Sequence, residues 1–164
     1  MANWVENRLE IRGDKDEIQK FLDFAKSEVN EFDFNKINPY PEEFAKLDKE
    51  SDGEGYINGG SRWCSANWGT KCNSDEVEVY DREEYSEIWF ITIWSAPLPI
   101  LEIIAALYPT LTFRLKFGEC NLDFAGIRTF KGTECLEEED MGYFELFPQE
   151  EDDEITEVDD EEES

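Results

Sequence analysis

Histidine is absent from the chain, and its four cysteines include no pair with the two-residue spacing of common zinc motifs. Structural zinc sites draw mainly on such cysteine pairs or on histidine, so we expect no zinc ion. A serine–histidine–aspartate triad is impossible, and no glycine-rich phosphate loop occurs. The sequence therefore predicts neither a metal nor a cofactor and no enzymatic activity. The cysteines, at positions 64, 72, 120 and 135, are expected to be free thiols.

Long apolar runs are also absent, since none approaches the roughly 20 residues that a membrane-spanning helix needs. The N-terminal stretch MANWVENRLEI lacks a basic patch followed by a long apolar segment, and so is not typical of a secretion signal. We therefore expect a cytoplasmic protein. Hydrophobic residues nevertheless make up 40% of the chain and aromatic residues 14%, which is enough for a folded core.

Basic residues are scarce, because 15 lysines and arginines stand against 42 aspartates and glutamates, for a net charge of −27. Residues 137–164 hold 16 of the acidic residues and no basic one, so residues 1–136 carry 26 acidic and 15 basic residues, or −11. Nucleic-acid affinity depends mainly on lysine and arginine contacts to phosphate. We expect such a chain to avoid nucleic acid and to attract basic protein surfaces. A surface that serves only solubility is the alternative.

Hydrophobic periodicity predicts alternating strands and helices. Six strands are predicted: 4–11, a short one around Val77 and Val79, 87–94, LTFRLKFG, NLDFAGIRTF and, as a last edge strand, GYFELF. Three helices are predicted: 14–27, 42–47 and the segment that ends at Pro109. This order indicates an α+β, ferredoxin-like fold with a mostly antiparallel sheet, two helices on one face and extra strands. We expect one domain over 1–148 and a disordered acidic C-terminal tail over 149–164.

Several short stretches resemble landmarks of a known family. In order they are ANWVENRLEIRG, FDFNKINPYPEE, NWGTK, WSAPLPILEIIAALYPTLTF and LDFAG, and together they span roughly residues 2–130. They look like the YubB-like, Api-type proteins of phages and plasmids. The resemblance implies a ferredoxin-like domain and a mobile-element context, and it implies no catalytic residues.

The stretch SRWCSANWGTKCN, residues 61–73, is open to three interpretations. In the first, it is a loop whose aromatic rings close the core. In the second, it is an exposed aromatic groove in which a lysine supplies the polar contact. In the third and least favoured, it is a site with a reactive Cys64 or Cys72. Candidate partner-binding residues are Trp63, Trp68, Lys71, Asp75 and Glu76, together with Glu150, Glu151, Asp152 and Asp153 in the tail.

These features favour a non-enzymatic protein of a phage or plasmid that binds a basic host protein in the host cytoplasm. A narrower form is anti-defence activity by mimicry of nucleic-acid charge. One alternative is a module that stacks single-stranded nucleic acid on an open sheet face, with Tyr80, Trp89, Phe90 and Phe130 as the rings. Another is a mobile-element protein with no role in defence.

Overall fold

A computed structural model describes residues 3–50 and 60–148. Its elements in chain order are β1 (Trp4–Arg12), α1 (Lys15–Ala25), α2 (Phe34–Ile37), α3 (Glu42–Glu50), α4 (Gly60–Asn67), β2 (Asp75–Asp81), β3 (Ser86–Ile93), α5 (Leu98–Leu107), β4 (Thr112–Glu119), β5 (Phe124–Lys131), β6 (Glu134–Met141) and α6 (Tyr143–Leu146). Within these ranges, no helix has the length and apolar character needed to cross a membrane. The predicted tail, 149–164, lies outside the described residues.

All six strands form one antiparallel sheet in the order β2-β3-β1-β4-β5-β6. The first part of the chain follows the pattern strand, helices, two strands, helix, strand, and β1 lies between β3 and β4. This is the ferredoxin-like arrangement, and β5 and β6 extend it at one edge. The predicted fold class is thus confirmed.

The alternation of β1 places one row of side chains in the core and the other on the opposite face of the sheet. Val5, Leu9 and Ile11 are buried, as predicted, among core residues of α1 and α5 such as Phe21 and Ile104. We call this side of the sheet the helix face. The opposite side, on which the even-numbered residues of β1 lie, is the open face.

Helix α1, which lies within the range 14–27 predicted to be helical, begins after the capping residue Asp14. The carboxylate of Asp14 accepts hydrogen bonds from the backbone N–H groups of Asp16 and Glu17. Such a cap satisfies donors that have no partner inside the helix, and the acidic first turn suits the helix dipole. Ile18 and Phe21 are then buried one turn apart, which fixes α1 on the helix face.

The predicted edge strand in GYFELF is wrong. Residues 143–146 form the single helical turn α6. The backbone N–H of Gly142, the residue before this turn, donates a hydrogen bond to the Glu145 carboxylate. The true edge strand is β6, residues 134–141, where four consecutive carboxylates hide the usual alternation of a strand. Two further helices, α2 and α4, were not predicted from the sequence.

Candidate binding site at the β2 edge

The tryptophan of the WGTK stretch belongs to the core. Trp68 is fully buried, and its indole N–H donates to the backbone oxygen of Asn38 at 2.8 Å. Its ring packs edge-on against Phe34 and Trp63, with centroids 5.7 and 5.5 Å away. Gly69 follows at a φ of +87°, which favours glycine, and ends helix α4. Trp68 therefore closes the core and offers no surface to a partner.

Trp63 and Lys71 do not form a groove with Trp68. Trp63 is partly buried and packs on Trp68 and Tyr40. The ammonium group of Lys71 lies instead 5.4 Å from the ring centroid of Trp94, an exposed ring after β3. The three residues proposed together from the sequence are thus divided between a core cluster and a separate surface contact.

The thiols of this stretch are poor nucleophiles. Cys64 is fully buried, and burial raises the pKa of its thiol to about 12. Burial also raises the pKa of Cys72, although the nearby Lys71 ammonium acts in the opposite direction. Both groups are protonated at neutral pH, whereas a reactive cysteine needs its thiolate. In the described ranges, no group of three or more potential ligands is placed to hold a metal ion.

Strand β2, at one edge of the sheet, carries four exposed carboxylates. They belong to Asp75, Glu76, Glu78 and Asp81, and none has an ion pair within 4.0 Å in the part of the chain that the structure describes. An edge strand also presents backbone N–H and C=O groups that no neighbouring strand uses. The β2 edge therefore offers both hydrogen-bonding groups and uncompensated negative charge.

The backbone of β2 is irregular at its acidic start. Glu76 has a φ of +50°, in the left-handed region that residues other than glycine rarely adopt. The pairing with β3 shifts between Asp75 and Glu78, so that β2 gains an extra residue there. Such bulges reorient side chains, and here the irregularity lies at Glu76, beside a cleft in the open face.

That cleft, of about 430 Å³, lies between β2, β3 and β1. Trp89 and Ile91 of β3 line it together with the carboxylates of Glu76 and Glu78. The indole nitrogen of Trp89 is buried and has no hydrogen-bond partner in the described ranges.

The family model for the ferredoxin-like domain of Api92-like proteins matches residues 67–163 of this chain. This chain belongs to the Api92-like family. Its fold is also similar to the crystal structure of the protein api92 from Yersinia pseudotuberculosis, with a TM-score of 0.56 and 10% sequence identity over 87% of this chain and 98% of that one. No curated protein matches the sequence.

The second edge of the Api92-like sheet, β6, is also acidic, but three of its five carboxylates form ion pairs with arginines. Glu137 pairs with Arg114 at 3.0 Å, and Asp140 pairs with Arg128 at 2.9 Å. Arg128 also lies 3.9 Å from Glu138. Glu134 and Glu139 of β6 are exposed and have no ion pair among the described residues, so the edges differ in that none of the four β2 carboxylates has a counter-charge.

Two of the residues proposed from the sequence for partner binding lie on the β2 edge of this Api92-like chain. They are Asp75 and Glu76, while the tail candidates Glu150, Glu151, Asp152 and Asp153 lie outside the described residues. Glu78 was missed, although the alternation of DEVEVYD, with Val77 and Val79 inward, places its side chain outward. Of the four rings proposed for nucleic-acid stacking, Tyr80 and Trp89 lie on the open face; Phe90 is buried on the helix face, and Phe130 lies on that face as well.

Proposed function

We propose that this Api92-like chain is a non-enzymatic protein of a phage or plasmid that binds a basic segment of a host protein at its β2 edge. The observation that carries this proposal is the row of four exposed, unpaired carboxylates on an edge strand. Anionic surfaces attract cationic protein surfaces over roughly one Debye length, about 8 Å at physiological salt.

The bound segment adds to the sheet as an extended strand next to β2. Its backbone pairs with the outer N–H and C=O groups of β2, which supplies affinity with little dependence on sequence. Its side chains alternate between the two faces, so that every second one can meet a carboxylate. Arginine or lysine at those alternate positions supplies the specificity.

The cleft beside β2 accommodates part of the bound segment. Its volume of about 430 Å³ lies in the range of binding pockets, about 300–1,000 Å³. Trp89 supplies apolar area, Glu76 and Glu78 supply negative charge at the rim, and Arg8 lines the side towards β1. A cationic side chain of the bound segment fits the rim formed by Glu76 and Glu78.

Nucleic-acid mimicry in an anti-defence role is the narrower form of the proposal. The two acidic edges are separated by the sheet, five strand spacings or about 24 Å across. Cations such as Arg8 and Lys116 lie between them. We therefore assign the interaction to the β2 edge rather than to a continuous row of charges across the sheet. A basic nucleic-acid-binding cleft of a defence protein is one surface that would bind this edge.

A second candidate is the binding of single-stranded nucleic acid on the open face. Tyr80 and Trp89 lie there with ring centroids 5.2 Å apart, and the guanidinium carbon of Arg8 is 4.3 Å from the Trp89 centroid. Bases stack on such rings. The net charge of −27 opposes this function, and a mobility-shift assay with labelled single-stranded DNA and RNA tests it.

The main proposal is tested with a synthetic peptide of alternating arginine and serine. Binding to the full chain is compared with binding to the triple variant Asp75→Asn, Glu76→Gln, Glu78→Gln. A matched control removes three exposed carboxylates from α3 instead, by Glu42→Gln, Glu43→Gln and Glu50→Gln. We expect the β2 variant to bind at least about tenfold more weakly than the α3 control, because only the former removes charges at the site.

Equal weakening by the two variants would show that net charge alone attracts the peptide, and the β2 site would then be abandoned. Capture of partners from host-cell extract, by the full chain and by a 1–148 truncation at low and high salt, extends the test. If the same basic protein is captured by both chains and lost with the β2 variant, the tail is dispensable. Capture that requires the tail and survives the β2 variant contradicts the proposal.

A further inference from the structure

A second cavity, of about 600 Å³, lies on the helix face of the sheet at the N-terminal end of α5. It is larger than the cleft beside β2, which lies in the open face. Its apolar lining comes from six residues: Ala96, Leu98, Pro99, Phe117, Phe124 and Met141. Pockets for small organic ligands have volumes of about 300–1,000 Å³ and are mostly apolar with a few polar groups. This cavity has both properties.

A glycine in β5 brings an aromatic ring and a carboxylate together in the wall of this cavity. At Gly126, a Cβ atom would lie 2.5 Å from Cζ of Phe117 and 2.8 Å from Oδ1 of Asp140. A side chain at this position is therefore incompatible with the arrangement of the two groups. Glycine inside a strand often marks a position of such close approach. An apolar surface and a negative charge thus lie side by side.

The polar side of the cavity carries net negative charge. Arg128 lines it, 2.9 Å from the carboxylate of Asp140 and 3.9 Å from that of Glu138. One guanidinium group beside two carboxylates leaves one negative charge uncompensated. The Asp140 side chain is 71% exposed, whereas that of Arg128 is 12% exposed. A ligand in the cavity therefore reaches the carboxylate more readily than the guanidinium group.

Several N–H donors around the cavity are already bonded to the protein itself. Besides its ion pairs, Arg128 donates through Nη1 to two backbone oxygens, one of β5 at 3.0 Å and one of β6 at 3.2 Å. In the first turn of α5, Pro99 has no N–H. Those of Leu98 and Leu101 donate to backbone oxygens two and four residues earlier, at 2.9 and 3.1 Å. A helix N-terminus commonly attracts anions, but this one offers them few free donors.

We propose that this cavity binds a small organic cation, an amine with an apolar body. The body lies against Phe117 and the first turn of α5, and the ammonium group pairs with the Asp140 carboxylate. Ammonium groups also interact favourably with the face of an aromatic ring. The net charge of −27 attracts cations to the chain and repels anions of the same size. The inference does not rest on the binding of a basic partner at β2, and either can fail alone.

A matched series of indole ligands tests the proposal on the full wild-type chain. Tryptamine carries an ammonium group, 3-methylindole is uncharged, and indole-3-propionate carries a carboxylate. Met141 lines the cavity and is one of two methionines in the chain, so the NMR resonance of its carbon-13-labelled methyl group reports binding there. We expect tryptamine to shift this resonance with a Kd at least about tenfold lower than that of either other ligand, because only tryptamine forms a charge-assisted bond to Asp140.

A Met141 resonance that tryptamine leaves in place overturns the proposal. So does one that 3-methylindole or indole-3-propionate shifts at an equal or lower concentration. A shift of the Trp89 indole N–H resonance by tryptamine, without one at Met141, would place the amine in the cleft beside β2 and would also contradict the assignment.

Two carboxylate variants separate the cavity from general attraction to an acidic chain. Asp140→Asn removes the charge in the cavity, and Glu139→Gln removes the neighbouring charge, whose side chain lies on the opposite face of β6. We expect Asp140→Asn to weaken tryptamine binding at least about tenfold. We expect Glu139→Gln to weaken it less than about twofold, because an exposed charge outside the cavity is screened. Equal weakening by both variants would show that net charge alone attracts the amine.

A second pair of variants keeps the test valid if Asp140→Asn disturbs Arg128 and the fold. Ser65 is exposed and lines the cavity, whereas its neighbour Ala66 is exposed and is not a lining residue. Ser65→Phe adds a ring at the cavity, and Ala66→Phe adds the same ring beside it. We expect Ser65→Phe to abolish the tryptamine-induced shift of Met141 and Ala66→Phe to preserve it. Equal shifts in the two variants contradict the proposal.

Discussion

The two edge strands of the sheet are both acidic, but they differ in where their counter-charges lie. On β6, Arg114 and Arg128 reach three of the carboxylates. On β2, four exposed carboxylates have no such partner in the described ranges. Both edges discourage the pairing of exposed strands between copies of the chain, since like charges repel. All four carboxylates of β2, but only Glu134 and Glu139 of β6, lack an ion pair in the described ranges, so the pairing of carboxylates, rather than their number, distinguishes the two edges.

The largest expected effect comes from removing the counter-charge of β6. In Arg128→Gln, Asp140 and Glu138 lose their partner and the packing of the guanidinium over Phe117 is lost. We expect a loss of about 2 kcal/mol in the free energy of unfolding, measured by urea denaturation. We also expect the variant to bind the arginine–serine peptide at β6. Arg128→Lys, which keeps the charge, is the control; weaker or unchanged peptide binding by Arg128→Gln would contradict the comparison.

The next effect separates the two edges by affinity. Neutralising Asp75, Glu76 and Glu78 is expected to weaken peptide binding at least about tenfold, or about 1.4 kcal/mol. Neutralising Glu137, Glu138 and Asp140 on β6 is expected to change it by less than about threefold, because these charges are already compensated. Isothermal titration calorimetry at low salt measures both. A larger loss from the β6 variant would reverse the assignment of the edges.

A smaller effect concerns the backbone of β2. Glu76 adopts a left-handed conformation that costs about 1–2 kcal/mol for a residue other than glycine. Glu76→Gly is therefore expected to raise the free energy of unfolding by up to about 1 kcal/mol while weakening peptide binding. Thermal denaturation and titration report the two quantities. A variant that is less stable than the wild-type chain would show that the Glu76 side chain holds the edge together.

The smallest effect is the pH dependence of the β6 pair. The hydrogen bond from Arg114, followed by that from Thr129, lowers the pKa of Glu137 in the folded chain. A lowered pKa stabilises the fold above the unfolded-state pKa, and this contribution is lost as the pH falls through the folded-state value. Glu137 is partly exposed, so we expect less than about 1 kcal/mol. Glu137→Gln should reduce the acid loss of stability; a steeper loss would contradict this.

Hydrophobic periodicity alone predicted those elements in which apolar side chains recur at the spacing of a strand or a helix. The alternation of β1 and the helical spacing of α1 are local features, and both elements appear in the structure where they were predicted. Helix α4 escaped because GSRWCSAN has no regular apolar stripe and is held by tertiary contacts, chiefly through Cys64 and the adjacent Trp68. Strand β6 escaped because its pattern is dominated by charge.

The candidate site was predicted only as far as composition allows. Asp75 and Glu76 could be named because they begin a short alternating strand. Whether a carboxylate is compensated depends on the register of strands distant in sequence. The pairing of Arg114 of β4 with Glu137 of β6, and the position of Arg8 opposite Lys116, follow from the folded sheet alone.

Hydrogen–deuterium exchange of the full chain, with and without the arginine–serine peptide, tests the central claim most directly. An added strand protects the outer backbone N–H groups of the edge that it joins. We predict slower exchange over residues 75–81 on peptide binding and no change over residues 134–141. Protection confined to 134–141, or binding without protection of either edge, would contradict the assignment of β2 as the binding edge.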